Sequence, residues 1–429
     1  MMKFLFKSKN LKNSYWIIGE KIFQLLLSFV VGILTARYLG PSNYGTLNYT
    51  ASFIAFFTNI AALSMNSVMV VKLINHPEQE GQYLGSAILY RIIASLLSSI
   101  SIACLIIILN PGDSLKLVLA LIQSCQLLFK SFEIIDAWFQ RRLQSKYVSI
   151  GKMIASLIVS GYKIFLLTTV KSLIWFAFSN VIFDFVIATF LVIFYFIERG
   201  QWLKASIKVG NGLLKESYHF ILSDIMSALY TYLDRIMIGV LLADIDVGYY
   251  STAIIISSMW VFIPTALINS YKPTIMELKS RGEEKQYLHR LKQLISIVFW
   301  MSVVVAILIA IFGKLAVRIL YGVEYLPAAG PLVFLAWGEV FGVTSATRII
   351  WILCEEKSKY VKYYVFVGAL VNCALNYTLI PIFGINGAAV ATMITQITIC
   401  VLAPLLFKET RPFVKVLLES IALKWISDK

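Results

Sequence analysis

The sequence is short of nearly everything a soluble enzyme uses. Of its 429 residues, 14% are charged and three are histidine. So few charges exclude a water-soluble domain, because 59% of the residues are hydrophobic and a soluble surface must be largely polar. The five cysteines, Cys104, Cys125, Cys354, Cys373 and Cys400, show no CxxC or Cys/His spacing. That excludes a thiolate metal site and a disulfide framework, and predicts that they are small buried apolar residues. There is no Gly-rich phosphate loop, no nucleophile motif and no metal spacing, so no catalytic group, metal or cofactor is expected.

What is abundant is the long apolar run. Mean hydropathy is +0.79, and a bilayer core about 30 Å thick takes roughly 20 apolar residues per helix. Spans are predicted at about 14–36, 47–71, 83–109, 116–139, 147–169 and 173–197, then at 216–242, 247–271, 291–313, 329–353, 361–381 and 387–407. Twelve result, with no soluble domain between them. No cleavable signal is expected, because 13–36 is long enough to span and no small-residue cleavage pattern follows it.

The formal net charge of +15 raises the question of nucleic acid, and its distribution answers it. Lys3, Lys7, Lys9 and Lys12 precede the first span. Lys72, Arg141, Arg142, Lys146, Arg199, Lys204, Lys208, Lys215, the 272–292 loop, Lys357, Lys359, Lys362 and the segment after 407, ending in Lys429, fall on the same side. Arg37, Lys116, Lys171, Lys314 and Arg318 fall on the other. Basic residues retained on the cytoplasmic side place both termini there and make an anionic membrane surface, not nucleic acid, the partner.

Two internal echoes give the architecture. Residues 14–45 run alongside 217–248 without a gap, and Trp138 to Val148 is matched by Trp351 to Val361, with Ser-Lys-Tyr-Val shared. The chain therefore reads as two copies of six helices. Six is even, so the copies are parallel, which predicts an all-α membrane protein of twelve helices in two six-helix lobes facing one another. The expected boundaries are an N-terminal lobe at 1–198, a basic interfacial linker at 199–215, a C-terminal lobe at 216–407 and a cytoplasmic amphipathic tail at 408–429, lying on the inner leaflet.

Fourteen charges nevertheless fall inside the spans, each costing about 2.5–3.5 kcal/mol at a helix centre. The basic ones are Lys21, Arg91, Lys130, Lys152, Lys163, Arg235 and Arg348. The acidic ones are Glu20, Glu133, Asp136, Asp184, Asp224, Asp234 and Glu339. Lys152 and Arg348 lie near inner ends and can snorkel, and Lys130 with Glu133 is an i,i+3 pair. Lys21, Arg91, Lys163 and Arg235 lie deeper and are candidate anion-binding cations in a water-filled cavity. Glu20, Asp224 and Asp234 are candidate sites for a coupling H+ or Na+. Glu20–Lys21 and Asp234–Arg235 are sequence neighbours about 100° apart on a helix, so they do not simply pair.

Several stretches carry a family resemblance. They are Ala36-Arg-Tyr-Leu-Gly-Pro-Ser-Asn-Tyr-Gly-Thr46, Asp234-Arg-Ile-Met-Ile-Gly239 with Val247-Gly-Tyr-Tyr-Ser-Thr-Ala253, Leu320-Tyr-Gly-Val-Glu-Tyr325, and the run from Asn376 to Thr392. Together they resemble the bacterial polysaccharide repeat-unit flippases of the MATE-like (MOP) superfamily, over about residues 10–407. The resemblance implies a V-shaped two-lobe transporter that carries an undecaprenyl-pyrophosphate-linked oligosaccharide across the inner membrane for O-antigen, capsule or a related glycan. A glycan polymerase and a chain-length regulator would be its partners beside the membrane lipids. Arg37 matches the family's R-Y-L-G arginine and joins the candidate substrate-binding cations, and Asp234 and Arg235 match its helix-7 pair. Arg37 also suits a cap on the C-terminus of the first helix. The second helix departs from expectation, since 46–71 carries no charge.

Two other readings stay open at this stage. One is a superfamily exporter of a peptidoglycan or teichoic acid precursor or a drug. The other is a scaffold or enzyme of glycan assembly. Against an enzyme, the longest outer loop is only about 313–328, and His76 and His289 lie in loops with His219 at a helix start.

Overall fold

The computed structural model describes residues 9–169 and 172–424, without the side chains of 9–12 and 14. Lys3, Lys7, Lys171 and Lys429 therefore lie outside the described residues. Within them the chain is helical with no strand. Eight elements are long and apolar enough to cross a membrane, or nine when the bent pair Asp244–Ser258 and Phe262–Ser280 counts as one span. Two of these elements each hold two helices. Helix α1 (Lys9–Ala61) is broken at Gly40, with φ 70°, and the long helix Val361–Ile397 is broken at Gly384, with φ 59°. Both glycines adopt the left-handed backbone that other residues avoid. Ile207–Leu241 is also of spanning length, and its charges keep it off the apolar count. With these three counted, the spans number twelve.

The chain divides into two compact units, Met1–Ala228 and Leu229–Lys429. In the first, α1 is followed by α2 (Asn66–Asn75), α3 (Glu80–Leu109), α4 (Ser114–Lys130), α5 (Asp136–Arg141), α6 (Ser145–Thr169), α7 (Leu173–Ile197) and the first part of α8 (Ile207–Leu241). Helix α1 packs on α6, α4 and α3. Asp113 starts α4 by accepting from the Lys116 backbone N–H at 3.0 Å, which satisfies a donor that a helix start leaves orphaned. The core of this unit gathers Met65, Met69, Leu84, Trp138, Phe139, Tyr195 and Leu213.

The segment 199–206 crosses α3 as a tight strap. Lys204 N donates to the Gly81 carbonyl at 3.1 Å, and the Ser206 N–H donates to Ser86 Oγ at 2.9 Å. A Cβ at Gly81 would meet the Trp202 carbonyl oxygen at 2.4 Å, so only glycine lets the backbones approach this closely.

The second unit holds the rest of α8, then α9 (Asp244–Ser258), α10 (Phe262–Ser280), α11 (Glu284–Leu320), α12 (Ala329–Cys354), α13 (Val361–Ile397) and α14 (Arg411–Ile421). Helix α12 packs on α9, α11 and α13. The tail departs from expectation. Helix α14 does not lay its apolar stripe on a leaflet but docks it on α11, with Phe413, Leu417 and Ser420 fully buried. Ser296 Oγ donates to the Ser420 carbonyl at 2.6 Å, Trp300 Nε1 donates to the Ile421 carbonyl at 3.2 Å, and Lys292 pairs with Glu419 at 2.7 Å.

The cysteines are corrected as well. All are free, but only Cys400 is buried, while Cys104, Cys125 and Cys373 are exposed on the outside of the helices. Lipid is as apolar as a core, so an outward thiol costs nothing there.

Candidate functional site

Two of the charges expected inside the spans act as caps for broken helices. Arg91 on α3 is 3% exposed. Its guanidinium donates to the Lys130 carbonyl at 3.2 Å and to Asn66 Oδ1 at 3.3 Å. Lys130 ends α4 where the chain tightens into the 3-10 turn Ser131–Ile135, and such a change of pitch frees carbonyls. Arg348 on α12 does the same in the second unit. It does not snorkel, being 7% exposed, and it donates to the Ile399 carbonyl within the π-helical turn Thr398–Leu402 while lying 4.5 Å from the Tyr364 ring centroid.

A different arrangement surrounds Asp234. Its carboxylate is 4% exposed and accepts three hydrogen bonds from three stretches of chain. Tyr250 OH on α9 donates to Oδ2 at 2.7 Å, Thr392 Oγ1 beyond the α13 break donates to Oδ2 at 2.5 Å, and Asn376 Nδ2 donates to Oδ1 at 2.6 Å. Asn376 also donates to Asn372 Oδ1 at 3.0 Å. A buried carboxylate is tolerable only with such partners. The set is incomplete, because Asn376 Oδ1 and Asn372 Nδ2 are buried with no hydrogen-bond partner. An unused amide oxygen, two hydroxyls and a carboxylate form the oxygen-rich donor set that a hard monovalent cation or a proton takes.

The neighbour of Asp234 faces elsewhere. The Arg235 Nε is buried and unpartnered, and its guanidinium lies 5.8 Å from the Tyr232 ring centroid. In the first unit Glu20 is buried and its sequence neighbour Lys21 is exposed. Glu20 lies in the field of Lys152, Lys21 and Asp136. Lys152 stands 4.0 Å from Asp136, and both line a cavity of about 140 Å³ with Asn66, Glu133 and Gln140.

Lys163 lines a separate cavity of about 210 Å³ with Gln24, Ser28, Val31, Ser156, Val159, Ser160 and Asn180. Asp224 is hydrogen-bonded by Ser64 Oγ at 2.6 Å, beside a break where Leu63 and Ser64 both take left-handed backbone angles, φ 51° and 50°. Arg37 is exposed near the end of the first arm of α1.

The structure thus gathers Asp234 into a multi-residue site, gives Asp224 one hydroxyl partner, and leaves Lys21, Arg37, Arg235 and Lys163 in separate places. Tyr250, Asn372, Asn376 and Thr392 were missed from the sequence. The Asn372/Asn376 spacing, two amides one turn apart in an apolar span, was the available signal.

A family model described as polysaccharide biosynthesis protein matches residues 10–279. Two Haloferax volcanii proteins are similar in sequence. A probable low-salt glycan biosynthesis flippase, Agl15, is 24% identical over 192 residues, 45% of this chain and 41% of its own. A probable flippase, AglR, is 28% identical over 178 residues, 39% of this chain and 36% of its own. The matched segments thus span about two fifths of these relatives or less.

Among solved structures, the lipid II flippase MurJ in an inward closed conformation superposes with a TM-score of 0.70 at 19% identity, covering 98% of this chain and 93% of its own. An inward-facing multidrug resistance MATE family transporter of the MOP superfamily gives 0.65 at 14% identity, covering 92% and 96%. The fold is therefore that of these transporters.

Proposed function

Because the chain belongs to the polysaccharide biosynthesis protein family, we propose that it is a transporter, not an enzyme, and that its cargo is a lipid-linked oligosaccharide. On this reading it carries an undecaprenyl-pyrophosphate-linked repeat unit from the cytoplasmic to the outer leaflet of a bacterial inner membrane by alternating access, coupled to H+ or Na+. Both termini are cytoplasmic. A glycan polymerase and a chain-length regulator, acting in O-antigen or capsule assembly, take up the product.

The observation that carries the reading is the Asp234 site. A carboxylate held by side chains from three stretches of one unit, with an orphaned amide oxygen beside it, is poorly explained as scaffold and well explained as a place where a cation comes and goes. Lys21, Arg37 and Lys163 in the first unit, and separately Arg235 in the second, are cations of the kind that suits a pyrophosphate. The curated relatives described as flippases support the cargo class.

The test is transport in vesicles reconstituted with the purified chain and a fluorescent lipid-linked oligosaccharide. Translocation should rise with an imposed H+ or Na+ gradient in the wild type and lose that dependence in Asp234→Asn. Transport indifferent to both gradients would remove the coupling. No translocation of any polyprenyl-linked glycan, beside normal accumulation of the glycan in deletion cells, would remove the cargo.

A further inference from the structure

The internal repeat puts the Asp234 site and the Lys163 cavity at the same place in the two units. The ungapped offset that aligns 14–45 with 217–248 takes Val31 to Asp234. The offset that aligns Trp138 with Trp351 continues through α6 and α13 and takes Val159 to Asn372, Lys163 to Asn376 and Ser179 to Thr392. Val31, Val159 and Lys163 do meet in the first unit, since all three line the 210 Å³ cavity.

The polarity is reversed. Where the second unit has a carboxylate and two amides, the first has two valines and an ammonium. No carboxylate lines the cavity, and no hydrogen bond or ion pair holds Lys163 among the described residues. Around it the cavity offers the Ser160 hydroxyl and the Asn180 amide. The Ser179 hydroxyl, counterpart of Thr392, is buried without a hydrogen-bond partner. Leaving an ammonium and a buried hydroxyl unmatched inside a membrane protein is costly. The cavity, about 210 Å³, has ample room for a phosphate-sized group.

We infer that the Lys163 cavity is an oxyanion site for a phosphate-sized group, the charge-inverted repeat counterpart of the Asp234 cation site. Lys163 Nζ supplies the charge, Ser160 and Asn180 supply donors, and Val31 keeps the position free of a competing carboxylate. The oxyanion comes either from a free ion or from a lipid-borne phosphate. The assignment rests on the proposed role of Lys163 as a cation facing a phosphate, and its test reads phosphate binding with no cargo present, so it can fail while the transport reading stands.

Thermal unfolding of the purified full chain in neutral detergent tests it, with inorganic phosphate, dodecyl phosphate and chloride added at matched ionic strength. The wild type should gain several degrees from at least one of the two phosphates over chloride. Dodecyl phosphate acting alone identifies a lipid-borne group, and inorganic phosphate acting equally identifies a free ion. Lys163→Met should abolish the gain, and Ser160→Ala should weaken apparent affinity by about tenfold, the loss of one charge-assisted hydrogen bond.

The decisive variant is the double exchange Val31→Asp with Lys163→Asn, which installs in the first unit the acid and amide of the second. It should lose the phosphate response and gain a stabilisation by Na+ over choline beyond that of the wild type. A phosphate gain that persists in Lys163→Met, or no gain from either phosphate in the wild type, overturns the site. Lys152→Met, in the neighbouring cavity where Lys152 already faces Asp136, should leave the phosphate response in place. Loss there would mean a diffuse charge effect and also overturn it.

Discussion

The two units close with the same turn, after α5 in the first and after α12 in the second. In the first, Gln144 N donates to the Phe139 carbonyl at 2.9 Å and Leu143 N to the Gln140 carbonyl at 3.0 Å, with Leu143 at φ 55°. In the second, Lys357 N donates to the Ile352 carbonyl at 2.8 Å and Glu356 N to the Leu353 carbonyl at 3.3 Å, with Glu356 also at φ 55°. This is the six-to-one and five-to-two pattern of a Schellman turn, kept bond for bond across the repeat. Deeper in the same units, repeat-related positions hold Val31 against Asp234 and Lys163 against Asn376. The backbone's hydrogen-bonding demand is the same in both copies, so the turn is retained. The buried polar positions are bound only to one another, and they diverge as sets.

The largest expected effect separates the copies at one repeat position. Asp234→Ala strands the Tyr250, Thr392 and Asn376 donors and should cost about 3 kcal/mol as well as gradient-dependent transport. Val31→Ala removes two methyl groups' worth of burial and should cost about 1.5 kcal/mol with the gradient response kept. Equal losses in thermal unfolding would show that Asp234 is only packing. The two capping arginines should behave alike instead. Arg91→Leu and Arg348→Leu each leave buried carbonyls unpaired, for about 2 kcal/mol each. A much smaller loss in Arg348→Leu would mean that the π-helical turn satisfies its own carbonyls.

How much of this the sequence disclosed follows from range. The spans and the repeat were legible because hydropathy and a constant offset can be read directly along the chain. Asp234 was legible as an oddity, a carboxylate in an apolar run. Its partners Tyr250, Asn376 and Thr392 lie on other helices, two of them more than 140 residues along the chain, and nothing local says that α9 and both arms of α13 converge on it. Arg348 misled for the same reason. Position near a helix end suggests snorkelling, while the carbonyl it caps, Ile399, is freed only by a π-helical turn that no local pattern announced. The tail misled because an amphipathic stripe fits a leaflet and a protein groove equally well until Ser296 and Trp300 are seen to bind its end.

A smaller effect distinguishes the breaks in the second helix of each unit. In the first unit Leu63 and Ser64 are left-handed, which costs non-glycine residues about 1–2 kcal/mol each. In the second, α9 and α10 bend by 41° with Met259 and Val261 at right-handed φ of −59° and −60°. Both residues pack partly buried against their cores, and only Leu63→Gly also relieves strain, so it should cost about 1–2 kcal/mol less than Val261→Gly. Ser64→Ala, which takes away the hydroxyl bound to Asp224, should cost about 1 kcal/mol. A smaller loss for Leu63→Gly in denaturation would establish that only the first break holds strain, and equal losses would refute it.

The smallest effect probes the shared turn itself. Leu143 and Glu356 are exposed residues in left-handed backbone at the same position of the motif, so a glycine at either relieves strain while giving up little packing. Leu143→Gly and Glu356→Gly should each add about 0.5–1 kcal/mol, read as a rise in unfolding temperature, and the two rises should match. The match matters more than the size. Glu356 is acidic and sits among helix C-terminal carbonyls, where negative charge is disfavoured. A larger gain at Glu356 that vanishes in high salt would assign the excess to charge, while one that persists in salt would mean that the turns, alike in hydrogen bonds, differ in strain.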